Sequence, residues 1–166
     1  VGIIDGVLYI AGTPDADQVT VRQLGLPLAY WSMNEESGHT IGDGAGEPQD
    51  GRLYSRCPDL DDPGPPEDKA PFGAQTGVDL HRWRREYIAV AHDEVFELEE
   101  GTVQLWFRGG RRRGRQGLFS KDHMGYGDGG HLSIWMVGSR LQVRLQSEGE
   151  SHWIETGALV RRWEWN

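Results

Sequence analysis

Cysteine is almost missing from this sequence: Cys57 is the single thiol in 166 residues, so no intrachain disulfide can form. Small animal ectodomains usually carry disulfide staples. That leaves a cytosolic protein or a bacterial secreted one whose core suffices. Cys57 is followed by Pro58, Asp59, Asp61 and Asp62. A reactive thiol needs cations nearby to lower its pKa, so Cys57 reads as an inert loop residue. No apolar run approaches the roughly 18 residues of a membrane-spanning helix, and no charged-then-apolar leader opens the chain. Basic residues are also short: 17 Lys and Arg against 26 Asp and Glu leave a net charge of −9. Nucleic-acid binders normally present a basic face, so that class is set aside. The start at Val1 reads as a piece of a longer protein.

What the chain has is turn formers and aromatics, with 24 Gly, eight Pro, seven Trp, five Tyr and four Phe. Many short strands joined by tight turns fit that composition better than helices. Residues 7–10 and 18–21 read as strands about a turn at Gly12-Thr13-Pro14-Asp15. From Leu28, LAYWSMNEESG reads as an apolar start followed by an acidic turn, and 42–76, centred on DLDDPGPPED, as one long surface loop, because Pro removes donors and Gly costs entropy.

The second half is more regular. Residues 87–90 form a short strand, and 92–100 hold at most one helical turn. Residues 102–108 alternate, with Val103, Leu105 and Phe107 on one face and Gln104, Trp106 and Arg108 on the other. GGRRRGRQG is a turn. Residues 131–137 place Leu132, Ile134 and Met136 inward and Ser133, Trp135 and Val137 outward. A two-residue hairpin turn at Gly138-Ser139 leads to Leu141, Val143 and Leu145, again inward, and a last strand lies near 152–156. The fold class is all-β: an antiparallel two-sheet sandwich.

Three stretches in order, LAYWSMNEESGHT, YIAVAHDEVFELEEGTVQLWFR and LFSKDHMGYGDGGHLSIWMVGSRLQVRL, resemble the bacterial laminin-G-like family of the concanavalin A-like lectin and glucanase superfamily. The resemblance covers about residues 28–166 and implies a jelly roll. It also implies strands beyond Trp163 and Trp165, so that the jelly roll here is incomplete, as a fragment or as a unit completed by another copy or chain. Residues 1–24 read as a linker or the edge of a neighbouring module. Within them, Gly12, Asp17 and Val19 resemble a degenerate repeat-in-toxin calcium motif in which Thr13 and Asp15 replace glycines. Both resemblances imply a secreted or cell-surface bacterial protein.

Candidate chemistry follows from these placements. The superfamily implies rim calcium, with Asp128 of GYGDGGHL as ligand and Asp122 or Asp93 completing a shell of 6–8 oxygens. Outward Trp106 and Trp135 are candidates to stack on sugar rings, with His131 and Arg108 donating hydrogen bonds. The run Arg111-Arg112-Arg113-Gly114-Arg115 is a candidate for acidic or sulfated polysaccharide, through bidentate guanidinium contacts, with Arg112 and Arg113 at its centre. Each has a plain alternative: an ordinary Gly-Asp-Gly turn, a covered indole, a solvated charge run. Hydrolysis is the rival class, since the superfamily contains glycoside hydrolases with two facing carboxylates. The acids nearest that pattern, Asp93, Glu94, Glu97 and Glu99, fall in a loop-like stretch. The expectation is a non-catalytic binding or adhesion module for a glycan or an extracellular protein. A structural unit assembled by strand exchange and a glycosidase are the alternatives.

Overall fold

The computed structural model describes residues 2–4, 7–9, 27–46, 48–66, 76–98, 101–110, 114–121, 131–147, 150–157 and 159–166. The fold is all-β, and its sheets are antiparallel. The chain divides into two compact units, Val1–Thr102 and Val103–Asn166.

In the first unit a hairpin pairs β1 (Gly2–Ile4) with β2 (Val7–Tyr9). A three-stranded sheet follows, with β4 (Gly51–Tyr54) between β3 (Thr40–Ile41) and β7 (Tyr87–Val90), and β5 (Asp62–Pro63) pairs with β6 (Thr76–Gly77). β4 alternates strictly: Gly51 and Leu53 are buried, Arg52 and Tyr54 exposed. The register sets Leu53 opposite Ile88 and Gly51 opposite Val90. Ile41, Leu53 and Leu60 form the core, with Trp31, Met33, Val78 and Ile88 packed against it. Gly51 is required here, because a Cβ would lie 2.9 Å from Ile88 Cγ2.

The second unit is a four-stranded sheet in the order β11-β10-β9-β8. Its strands are β8 (Arg115–Lys121), β9 (His131–Val137), β10 (Arg140–Ser147) and β11 (Glu150–Glu155). The tight turn at Gly138-Ser139, with Gly138 at φ 64, closes the β9–β10 hairpin. Side chains paired across antiparallel strands share a face. One face therefore carries Met136, Leu141, Ile134, Val143, Leu132, Leu145 and Ile154. The other carries Trp135, Gln142, Arg144, Trp153 and Glu155, joined from β8 by Arg115 and Gly117. A register shift between Gly117 and Phe119 interrupts the β8–β9 ladder.

Several sequence expectations change. Residues 102–108 are not a strand: their pattern alternates, but among the described residues their pairing comprises one bridge, Arg108 to Trp165, and a reciprocal pair of bonds between Phe107 and Asn166. Period two yields a strand only where a neighbour takes up its N–H and C=O groups. Val103, placed inward by that pattern, is 41% exposed. Residues 28–33 make one bridge, Trp31 to Asp43. The expected loop 42–76 contains β4 and Leu60, hence much of the core. Arg115 to Gly117, assigned to a turn, open β8. On β9 the apolar side is not uniformly the buried one, since His131 and Ser133 on the opposite face are buried as well.

Candidate functional site

The second unit's polar face gathers two indoles and two guanidiniums from four strands. Trp135 on β9 and Trp153 on β11 stack with centroids 5.5 Å apart and planes 19° apart. Arg115 Cζ lies 4.7 Å from the Trp135 ring centre and 5.5 Å from that of Trp153. Arg144 Cζ lies 5.6 Å from the Trp153 ring. These separations fall within the roughly 6 Å over which a cation is drawn to an aromatic face.

The two arginines differ in what else holds them. Arg144 donates from Nε to Ser151 Oγ at 2.9 Å and from Nη2 to Gln146 Oε1. Arg115 is exposed, and among the described residues no carboxylate pairs with it. Glu155 is occupied nearby: it accepts from Gln142 Nε2 at 3.0 Å and faces Arg140 Nε at 3.8 Å. Arg115 therefore sits against both indoles without a carboxylate partner among the described residues, while Trp153 stays 52% exposed.

Of the residues singled out from sequence, Trp135 and Arg115 lie in this cluster. His131 is on the same face but only 9% exposed. Arg108 and Trp106 do not join them, because 102–108 is not a strand of this sheet. The Arg108 guanidinium sits over the Trp165 ring at 5.5 Å, and Trp106 is half-buried with its Nε1 atom enclosed and without an acceptor. Asp93 is engaged as a cap, its side chain accepting from Val95 N at 2.9 Å ahead of the 3-10 turn Glu94–Phe96. Glu97 faces His92 at 3.5 Å. Arg112, Arg113, Asp122 and Asp128 lie outside the described residues, as does the repeat-in-toxin-like stretch 12–20.

Sequence reasoning missed Trp153, whereas Arg115 closes the basic run it had singled out. The available signal was alternation in SHWIE, which puts Trp153 and Glu155 on one side. It also missed two carboxylates that organise the first unit. Glu86, with a side chain 2% exposed, accepts from Ser55 Oγ at 2.7 Å and from His81 N at 2.8 Å, and faces Arg84 at 3.8 Å. Burial pushes its carboxyl up, but the His81 N–H, the Ser55 hydroxyl, Arg84 and the His81 ring outweigh it and hold the pKa below the usual range. Asp43 likewise takes three backbone donors, Tyr30 N at 2.7 Å, Ala45 N at 2.9 Å and Gln49 N at 3.0 Å, which overcome desolvation and lower its pKa.

One group of metal-ligating side chains occurs among the described residues. Donor atoms of Asp59, Asp79 and His81 lie within 4.8 Å of one another. Desolvation, a hydrogen bond with Asp61 and repulsion from Asp61, Asp79 and Asp62 raise the Asp59 pKa. This is a repelling acidic corner with His81 at its edge, and both aspartates are exposed.

No family model, no curated protein and no solved structure matches this chain.

Proposed function

We propose that the chain is a non-catalytic binding module of a secreted or surface bacterial protein, on a concanavalin A-like jelly roll, that takes an acidic glycan at the β8–β11 face. One observation carries this reading: the Arg115 guanidinium rests on two stacked indoles and is paired to no carboxylate among the described residues. A guanidinium held against two aromatic rings has given up rotamer freedom before it binds. Its planar fork of donors matches a carboxylate or sulfate bidentately. Trp153, 52% exposed, offers an apolar edge to a sugar ring beside that charge. The net charge of −9 repels a polyanion at long range, so attraction here is short-ranged and sensitive to salt.

Titration calorimetry with oligogalacturonate, chondroitin sulfate oligosaccharide and cello-oligosaccharide tests this. Binding is expected for an acidic oligosaccharide and not for the neutral one, with at least a tenfold loss for Arg115→Gln and Trp153→Ala. Equal binding of the neutral oligosaccharide, or unchanged affinity in a folded Arg115→Gln protein, would sink the reading. Calcium assistance belongs to the same proposal and is removed from it if chelation leaves affinity unaltered.

A second reading, assembly with another copy or chain, has its own support. On the opposite face Leu145 is 45% and Ile154 55% exposed, next to the edge strand β11. Sedimentation that stays monomeric across concentration, in wild type and in Ile154→Lys alike, would exclude self-assembly.

A further inference from the structure

We infer that the β3–β4–β7 sheet carries a separate binding groove for a compact oxyanion, the terminal phosphate or sulfate group of a small ligand. The groove has a volume of about 300 Å³ and is lined chiefly by Arg52, Arg56, Arg84, His39, Tyr54 and Ser55. No Asp or Glu lines it. In a chain with 26 acidic residues against 17 basic ones, that is a marked local reversal of charge. The adjoining groove, of about 440 Å³, has the opposite character, with Glu36 and Asp61 in its wall. His39 stands in both.

The arginines are fixed to different degrees. Arg52 Cζ lies 5.5 Å from the Tyr54 ring centre, and Tyr54 stacks on Tyr87 at 4.7 Å with planes 9° apart. Register explains this stack, since Tyr54 is paired with Tyr87 across β4 and β7 on the face opposite the core. Arg84 lies 4.6 Å over Trp83 and is compensated by Glu86 from behind. Arg52 and Arg56 have no carboxylate partner among the described residues. His39 Nε2 is engaged with the Ser55 carbonyl at 3.1 Å.

Arg52 and Arg56 line one groove without a carboxylate partner among the described residues, and an oxyanion bound there would accept paired N–H donors from them. The groove volume sits at the lower end of the roughly 300–1,000 Å³ of small-molecule sites. That suits a phosphate or sulfate monoester rather than a polymer. This site uses none of the residues of the proposed glycan face and stands or falls without it.

The test is an amide chemical-shift titration of the full chain with inorganic phosphate, inorganic sulfate and glucose 6-phosphate, at ionic strength held constant with chloride. The expected result is saturable shifts at residues 52–56. At least a tenfold weaker apparent affinity is expected in Arg52→Gln/Arg56→Gln, with Arg161→Gln, at an exposed position outside both proposed sites, unchanged. A tighter ester than free phosphate identifies an organic ligand, and equal affinities identify the free anion. Shifts that stay linear and match chloride, or a double variant with wild-type fold and wild-type affinity, would overturn the inference. Both arginines are exposed, so the double variant is expected to keep its thermal midpoint.

Discussion

The Ser55 hydroxyl donates to Glu86 Oε1 at 2.7 Å, joining the end of β4 to the turn that enters β7. Glu86→Ala leaves the His81 N–H and the Ser55 hydroxyl without their acceptor. A buried donor left unpaired costs about 1–3 kcal/mol, and chemical denaturation should show a loss of that size. Glu86→Gln separates charge from shape. The folded pKa of Glu86 is depressed, so its contribution is present above the unfolded carboxylate value and fades as pH falls through the folded one. The Gln variant should therefore be less stable than wild type near neutrality, with the difference shrinking on acidification. A constant difference across that range would show that the charge contributes nothing.

Asp43 clasps residues 30–49 by accepting from Tyr30, Ala45 and Gln49. Asp43→Ala should cost about 1–3 kcal/mol. Amide exchange should speed up specifically at those three N–H groups. Unchanged protection there would show that water or other acceptors serve equally well.

Core positions should separate from surface ones. Leu53 is 1% exposed, and truncating a buried leucine typically costs about 2–5 kcal/mol. Leu53→Ala should lose that much in denaturant unfolding, while Leu159→Ala, at a residue 66% exposed, should be near neutral.

Gly109 is a packing glycine. A Cβ at this position would lie 2.5 Å from Met136 Cε and 2.7 Å from its Sδ, and Met136 is fully buried. Gly109→Ala should cost about 1–3 kcal/mol by overpacking. Shortening the partner in Gly109→Ala/Met136→Val should recover part of it. Wild-type stability in the single variant would show that Met136 swings aside freely.

The Trp135–Trp153 stack can be tested apart from any ligand. Two indoles with centroids 5.5 Å apart should give an exciton couplet in far-ultraviolet circular dichroism. Trp153→Phe should abolish it, and Arg115→Gln should weaken it if the guanidinium holds the pair in register. A spectrum unchanged by Trp153→Phe would show that the two indoles are not coupled.

Much of the local β structure was legible. Residues 131–137 and 140–147 alternate over enough positions, bounded by turn formers, to mark strands and the Gly138-Ser139 hairpin without reference to anything distant, and the apolar, β-favouring run 87–90 marks a short strand. β4 escaped because four residues, GRLY, between Gly- and Pro-rich flanks carry too little pattern to stand out. Only β3 and β7 on either side make them a strand. Residues 102–108 erred in the other direction, with a clean alternation and almost no partner.

The sequence by itself determined the all-β class and the two-faced character of β9 and β10, because alternation is a property of neighbouring residues. Tertiary structure alone decided that Trp135, Trp153, Arg115 and Arg144 meet, that Trp106 and Arg108 do not join them, and that Arg52, Arg56 and Arg84 share a groove. Strand pairing is non-local: which residues become neighbours depends on strand order and register, and a shift of one residue would send every side chain to the opposite face.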